Sequence, residues 1–119
     1  MVIKYLGHSS FRIRGAEGSV ITDPFDEEMT GIDFPRTYSD IVTVSHQHKD
    51  HNQTDNVGKD PFIIDGPGEY EVKGIRIHGL SSFHDDKQGE ERGKNVMYLF
   101  HIDDVSLLHC GDLGHKLTE

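Results

Sequence analysis

Ile41-Val42-Thr43-Val44-Ser45-His46-Gln47-His48-Lys49-Asp50-His51-Asn52 is the stretch on which the rest of the chain turns. Its first four residues are apolar or β-branched and read as a short buried strand. The strand ends at Ser45, and three of the chain's nine histidines follow within six residues. A polar run at the C-terminal edge of a strand lies where open α/β sheets place their sites, because irregular backbone there can turn several side chains inward. Neutral imidazole is a common ligand for zinc and related metals, and carboxylate is its usual harder companion. Two histidines one residue apart, followed by Asp-His, can therefore supply one or two adjacent ions. The competing reading is a solvated loop rich in histidine. It is disfavoured because the run follows a buried strand and has no affinity-tag character.

Outward from this run the chain is strand-rich. Met1 to Leu6, Ser10 to Arg14 and Ser19 to Thr22 are short apolar or alternating segments parted by glycines, the pattern of a meander. Residues 24–40, with Pro24, Gly31 and Pro35, predict a long surface loop or short helix. Phe62 to Ile64 predicts a second short buried strand. Glu69 to Lys73 and Gly74 to Leu80 predict a hairpin bent at Lys73-Gly74, and Val96 to Ile102 and Val105 to His109 a last pair around Asp103-Asp104. No repeat, linker or long periodic helix interrupts this pattern.

The 119 residues, 34% of them apolar, suffice for one domain with a single core. With 12 Lys and Arg against 21 Asp and Glu, the formal charge is −9, which opposes nucleic acid as a partner. A metal-dependent nuclease is less firmly excluded, since a bound ion changes the local field. Cys110 is the single cysteine, so no internal disulfide forms; it reads as a small buried residue at a strand end rather than a nucleophile. No signal peptide or membrane span is evident, and the cytoplasm is the expected compartment.

Two more candidates sit at downstream strand ends, His84 in Ser82-Phe83-His84-Asp85-Asp86 and Asp112 in His109-Cys110-Gly111-Asp112. Alone, each reads as a turn former or a surface residue. The His-x-His-x-Asp-His run from His46 to His51 raises them. Together with Leu6-Gly7-His8-Ser9-Ser10-Phe11, Thr22-Asp23-Pro24-Phe25 and Gly111-Asp112, it resembles the metallo-β-lactamase superfamily, most closely its branch of ascorbate-6-phosphate lactonase-like metal-dependent hydrolases. The resemblance implies a three-histidine site of His46, His48 and His84, and a second site with Asp50 and His51, bridged by Asp112. It implies Zn²⁺, one or two ions, with Mn²⁺ or Fe²⁺ as alternatives. It also implies a metal-activated water acting on an ester, lactone or phosphoester of a small molecule, with Asp50 as the catalytic residue that orients the water. His8 would face the site as an outer hydrogen-bond partner or substrate contact. His115 is either a surface polar residue or a substitute ligand.

The family's domain is an αβ/βα sandwich of two similar halves, and its last ligand histidine comes from the second half. By this resemblance, residues 1–119 correspond to a single N-terminal half-domain of β-rich α/β class, mostly one mixed sheet with few short helices. A half-sandwich leaves edges open, so a homodimer or a separate C-terminal fragment is the expected partner. A non-catalytic metal-binding half-domain that self-associates is the second functional reading.

Overall fold

Alternation between apolar and polar side chains dictates which faces of these strands meet. The computed structural model describes residues 1–48, 50–58, 60–84 and 93–114. Its strands are β1 (Val2–Gly7), β2 (Ser10–Arg14), β3 (Ser19–Thr22), β4 (Thr37–Tyr38), β5 (Ile41–Thr43), β6 (Val57–Gly58), β7 (Phe62–Ile64), β8 (Gly68–Val72), β9 (Ile75–Phe83), β10 (Lys94–Ile102) and β11 (Val105–His109). One mixed sheet has the order β1-β2-β3-β5-β7, and an antiparallel sheet has the order β11-β10-β9-β8. A small pair, β4-β6, lies apart. In the mixed sheet β1, β2 and β3 run antiparallel in turn, whereas β3, β5 and β7 are parallel.

Strands β3 and β5 are buried along their whole length, as parallel strands covered on both faces must be. On one face Ile13, Val20, Ile41 and Ile64 meet Ile75, Ile77, Val96, Tyr98, Phe100 and Ile102 of the antiparallel sheet. On the other, Leu6, Ile21, Val42 and Val44 are covered by Phe25, Phe34 and Val57 from the connecting segments. The stretch from 24 to 40 thus acts as a lid over the sheet. It contains one short helix, α1 (Glu27–Thr30), capped by the Asp26 carboxylate at its start and by Gly31 at φ 71° at its end.

The chain is β-rich with few helices and a mixed sheet, as its sequence implies. Beside the mixed sheet, residues 68–109 form a second, antiparallel sheet that packs over the first. The physical reason is the period-two pattern of β9 and β10, whose inward isoleucines and aromatics need an apolar face opposite. Tyr98 ties the layers together, its hydroxyl donating to the Val44 carbonyl at 2.8 Å, and the Val96 N–H donates to the Ser45 carbonyl at 2.8 Å. Lys73-Gly74 (φ 52°, 74°) and Asp103-Asp104 (φ 50°, 63°) take the left-handed backbone of tight hairpins, at the two predicted turns. Cys110 is half-buried rather than enclosed, lying one residue past the end of β11. Among the described residues no helix is long and apolar enough to cross a membrane.

Candidate metal centre

Parallel β3 and β5 end side by side, so Asp23 and the run from Ser45 emerge at one edge of the mixed sheet. In the other sheet β9 and β11 end at Phe83 and His109, which carries His84 and Asp112 to the same edge. Donors from four chain segments and the β1–β2 turn converge there. His46, His48 and His84 hold their ring nitrogens within 4.8 Å of one another, as do the donor atoms of His46, His51 and Asp112, and those of His8, Asp50 and His51. Asp112 Oδ2 is central, 3.0 Å from His51 Nε2, 3.0 Å from His84 Nε2 and 3.6 Å from His46 Nε2. His8 Nε2 stands 2.9 Å from Asp50 Oδ2, which is 3.5 Å from His51 Nε2.

The test of fit to a cation lies in the hydrogen bonds. Ser45 donates its backbone N–H to Asp23 Oδ1 at 2.7 Å and its hydroxyl to Asp23 Oδ2 at 2.6 Å. With its single hydroxyl proton so used, Ser45 Oγ can only accept from His46 Nδ1, 2.8 Å away. Asp23 Oδ2 also accepts from His51 Nδ1 at 2.8 Å. His46 therefore carries its proton on Nδ1 and turns a bare Nε2 toward the centre, while the bond to Asp23 keeps a proton on His51 Nδ1 and aims its Nε2 the same way. His46 Nε2 and His51 Nε2 are buried with no hydrogen-bond partner, although Asp112 Oδ2 is close by. Imidazole nitrogens gathered round one carboxylate oxygen need positive charge between them, a proton or a metal ion, and a neutral His46 beside His51, His84 and Asp112 fits a divalent ion.

Protonation follows the same geometry. Burial, reinforced by the charge of His51, pushes the His46 pKa down to about 4, so its ring is neutral at neutral pH. Burial works against a charged His51, but the hydrogen bond and charge of Asp23, with Asp112 and Asp50, raise its pKa overall. Burial likewise opposes an ionised Asp50, yet His51 and His8 hold its pKa below the usual carboxylate value. Asp112 is placed by Asn95, whose Oδ1 accepts from the Asp112 N–H at 3.1 Å while its amide donates to the Cys110 carbonyl at 2.8 Å. An open cavity of about 460 Å³ borders His46 and His48 and is walled by Asp65, Pro67, Lys94 and Val96.

The structure thus gathers His8, His46, His48, Asp50, His51, His84 and Asp112 at one place, and His115 lies outside the described residues. Sequence reasoning gave no role to Asp23, Ser45 or Asn95. The signal for Asp23 was an acid at the end of the wholly buried Ser19-Val20-Ile21-Thr22 strand.

Two facing sheets with imidazole and carboxylate donors clustered at their shared edge define a class of β-rich proteins with a His/Asp centre. The chain belongs to the beta-lactamase superfamily domain family, whose model matches residues 2–119. It is similar to a UPF0173 metal-dependent hydrolase of Pyrococcus horikoshii, with 26% identity over 92% of this chain and 60% of that protein. It is also similar to a solved structure from Thermotoga maritima, described as a candidate zinc-dependent hydrolase of the metallo-beta-lactamase superfamily. That match has 35% identity and a TM-score of 0.77, covering 98% of this chain and 52% of the other. The diiron beta-hydroxylase CmlA of Streptomyces venezuelae shares the fold at 16% identity and a TM-score of 0.65, over 93% of this chain and 29% of its own. The chain therefore spans little more than half the length of the first two relatives, which are described as metal-dependent hydrolases.

Proposed function

We propose that this chain carries the metal centre of a hydrolase that cleaves an ester, lactone or phosphoester of a small molecule. The observation that carries this reading is the pair of buried, unpartnered Nε2 atoms of His46 and His51 facing Asp112 Oδ2. His46, His48 and His84 would hold one ion, Asp50 and His51 would contribute to a second, and Asp112 would bridge them. A divalent ion, when bound, supplies a Lewis acid that polarises the electrophile and lowers the pKa of water to about 7. The protein's own part is positional and protonic. Asp23 and Ser45 fix the tautomers of His46 and His51. Asp50, kept ionised beside His51 and His8, accepts a hydrogen bond from the attacking water and so orients it. The cavity beside His46 and His48 offers room for a small substrate.

Zinc is the metal we expect first, from the imidazole-rich donor set; Mn²⁺ and Fe²⁺ suit the same donors. The test is turnover by the zinc-loaded chain across carboxylic ester, lactone and phosphodiester substrates, beside Asp50→Ala. The reading predicts hydrolysis of at least one class and its loss in Asp50→Ala with the histidine-held metal retained. A folded, metal-loaded protein inert to all three classes would contradict it.

The exposed edge strands β1 and β11 and the apolar groove between Ile3 and Leu108 favour a second reading, in which the chain binds metal without catalysis and self-associates.

A further inference from the structure

We infer that His8 is itself a metal ligand, closing the second position of the centre on His8, Asp50 and His51 from within this chain. The inference rests on the metal-centre reading above and goes beyond it, since there His8 only touches Asp50.

The β1–β2 turn is built to present this ring. Gly7 adopts φ 118° and His8 φ 50°, a left-handed backbone that a residue with a Cβ rarely takes. A Cβ at Gly7 would come within 3.1 Å of Ile32 and 3.3 Å of Phe25, so the turn lies close against the lid. The Tyr5 hydroxyl donates to the His8 carbonyl at 2.8 Å and locks the turn. The His8 ring packs edge-on against Phe25 and His51, with centroids 6.3 Å and 5.0 Å away. Its Nε2 is directed at Asp50.

The spacing is that of a ligand set. Two donors each about 2.1 Å from a tetrahedral ion stand roughly 3.4 Å apart. The His8–Asp50 distance of 2.9 Å and the His51–Asp50 distance of 3.5 Å bracket this value. All three donor atoms lie within 4.8 Å of one another, and His51 Nε2 is buried with no hydrogen-bond partner. An ion among the three satisfies His51 and draws on the same Asp50 oxygen that His8 now contacts.

The experiment is a zinc titration of the whole chain followed by native mass spectrometry, comparing the natural protein with His8→Gln and His8→Ala. The glutamine amide can still hydrogen-bond Asp50 but is not an imidazole ligand. We expect two ions per chain in the natural protein and a second-ion affinity more than about 100-fold weaker in both variants, beyond the 10–100-fold cost of losing an outer hydrogen bond. His8→Gln retaining its second ion would overturn the inference, as would a natural protein that binds only one. Should the variants misfold, cobalt-loaded natural protein with ¹⁵N-labelled histidine decides alone. Five paramagnetically shifted imidazole N–H signals, from His8, His46, His48, His51 and His84, support ligation, and four without His8 refute it. Loss of hydrolysis with two ions still bound would count against the proposed activity and leave this inference standing.

Discussion

Asp23 is the residue on which the centre's electrostatics depend, fully buried behind the rings that it orients. Buried at the end of β3 with φ 40°, it accepts from the Ser45 backbone and hydroxyl and from His51 Nδ1. Asp23→Ala removes these acceptors and leaves three buried donors unsatisfied, a cost of about 1–3 kcal/mol each. We expect a lowered unfolding midpoint and a 10–100-fold loss of zinc affinity, both measurable on one purified sample. The pH response has a definite sign. Folded His46 has its pKa lowered to about 4 against an ordinary 6.5, so between those values the unfolded chain binds the extra proton. His46 therefore makes the metal-free protein less stable as pH falls from 6.5 toward 4. His51, with its pKa raised, acts oppositely: its contribution is full below pH 6.5 and is lost as pH rises through the raised value. Urea midpoints of metal-free protein from pH 4 to 7 should fall more shallowly toward acid in His46→Asn than in the natural chain. Equal slopes would contradict the assignment. The His46–His51 run was legible because its donors fall within six residues of sequence, whereas the Asp23–Ser45–His46 chain was not, since Asp23 reaches Ser45 across 22 positions only through parallel pairing of β3 with β5.

At the scale of elements, the centre exists because four strand ends share one edge. The strands themselves were readable from apolar runs and turn residues, and Lys73-Gly74 and Asp103-Asp104 bend where their sequence says. The facing of the second sheet on the first was hidden, because period-two alternation states that β9 and β10 have an apolar side without saying what covers it. Gly111 is the joint that brings Asp112 back after β11. It adopts φ 60°, and a Cβ there would lie 2.4 Å from Ser45 Cβ and 2.6 Å from Asn95 Oδ1. Gly111→Ala must therefore displace Asp112 or the Ser45 backbone. Destabilisation of about 1–3 kcal/mol and a weaker hold on metal are expected, read by thermal unfolding with and without zinc. Unchanged affinity would mean that Asp112 is not placed through this turn.

For the whole molecule, the open edges matter most. β1 borders one sheet and β11 the other; Ile3, Tyr5, Val105 and Leu108 are exposed, and Ile3 and Leu108 line one apolar groove with Phe11 and Leu107. Such edges invite pairing with another chain. We expect the protein to run as a dimer in light scattering, and Ile3→Glu with Leu108→Glu to shift it to monomer; a natural chain that is monomeric at high concentration contradicts this.

The claim on which everything else stands is that the sheet edge is a metal centre. Metal analysis of the chain purified without chelator, beside a His46→Ala/His48→Ala double variant, tests it most directly. One or two equivalents of a transition metal in the natural protein, lost or halved in a folded double variant, is the predicted result. A folded natural protein that carries no metal and takes up none from added zinc would contradict it.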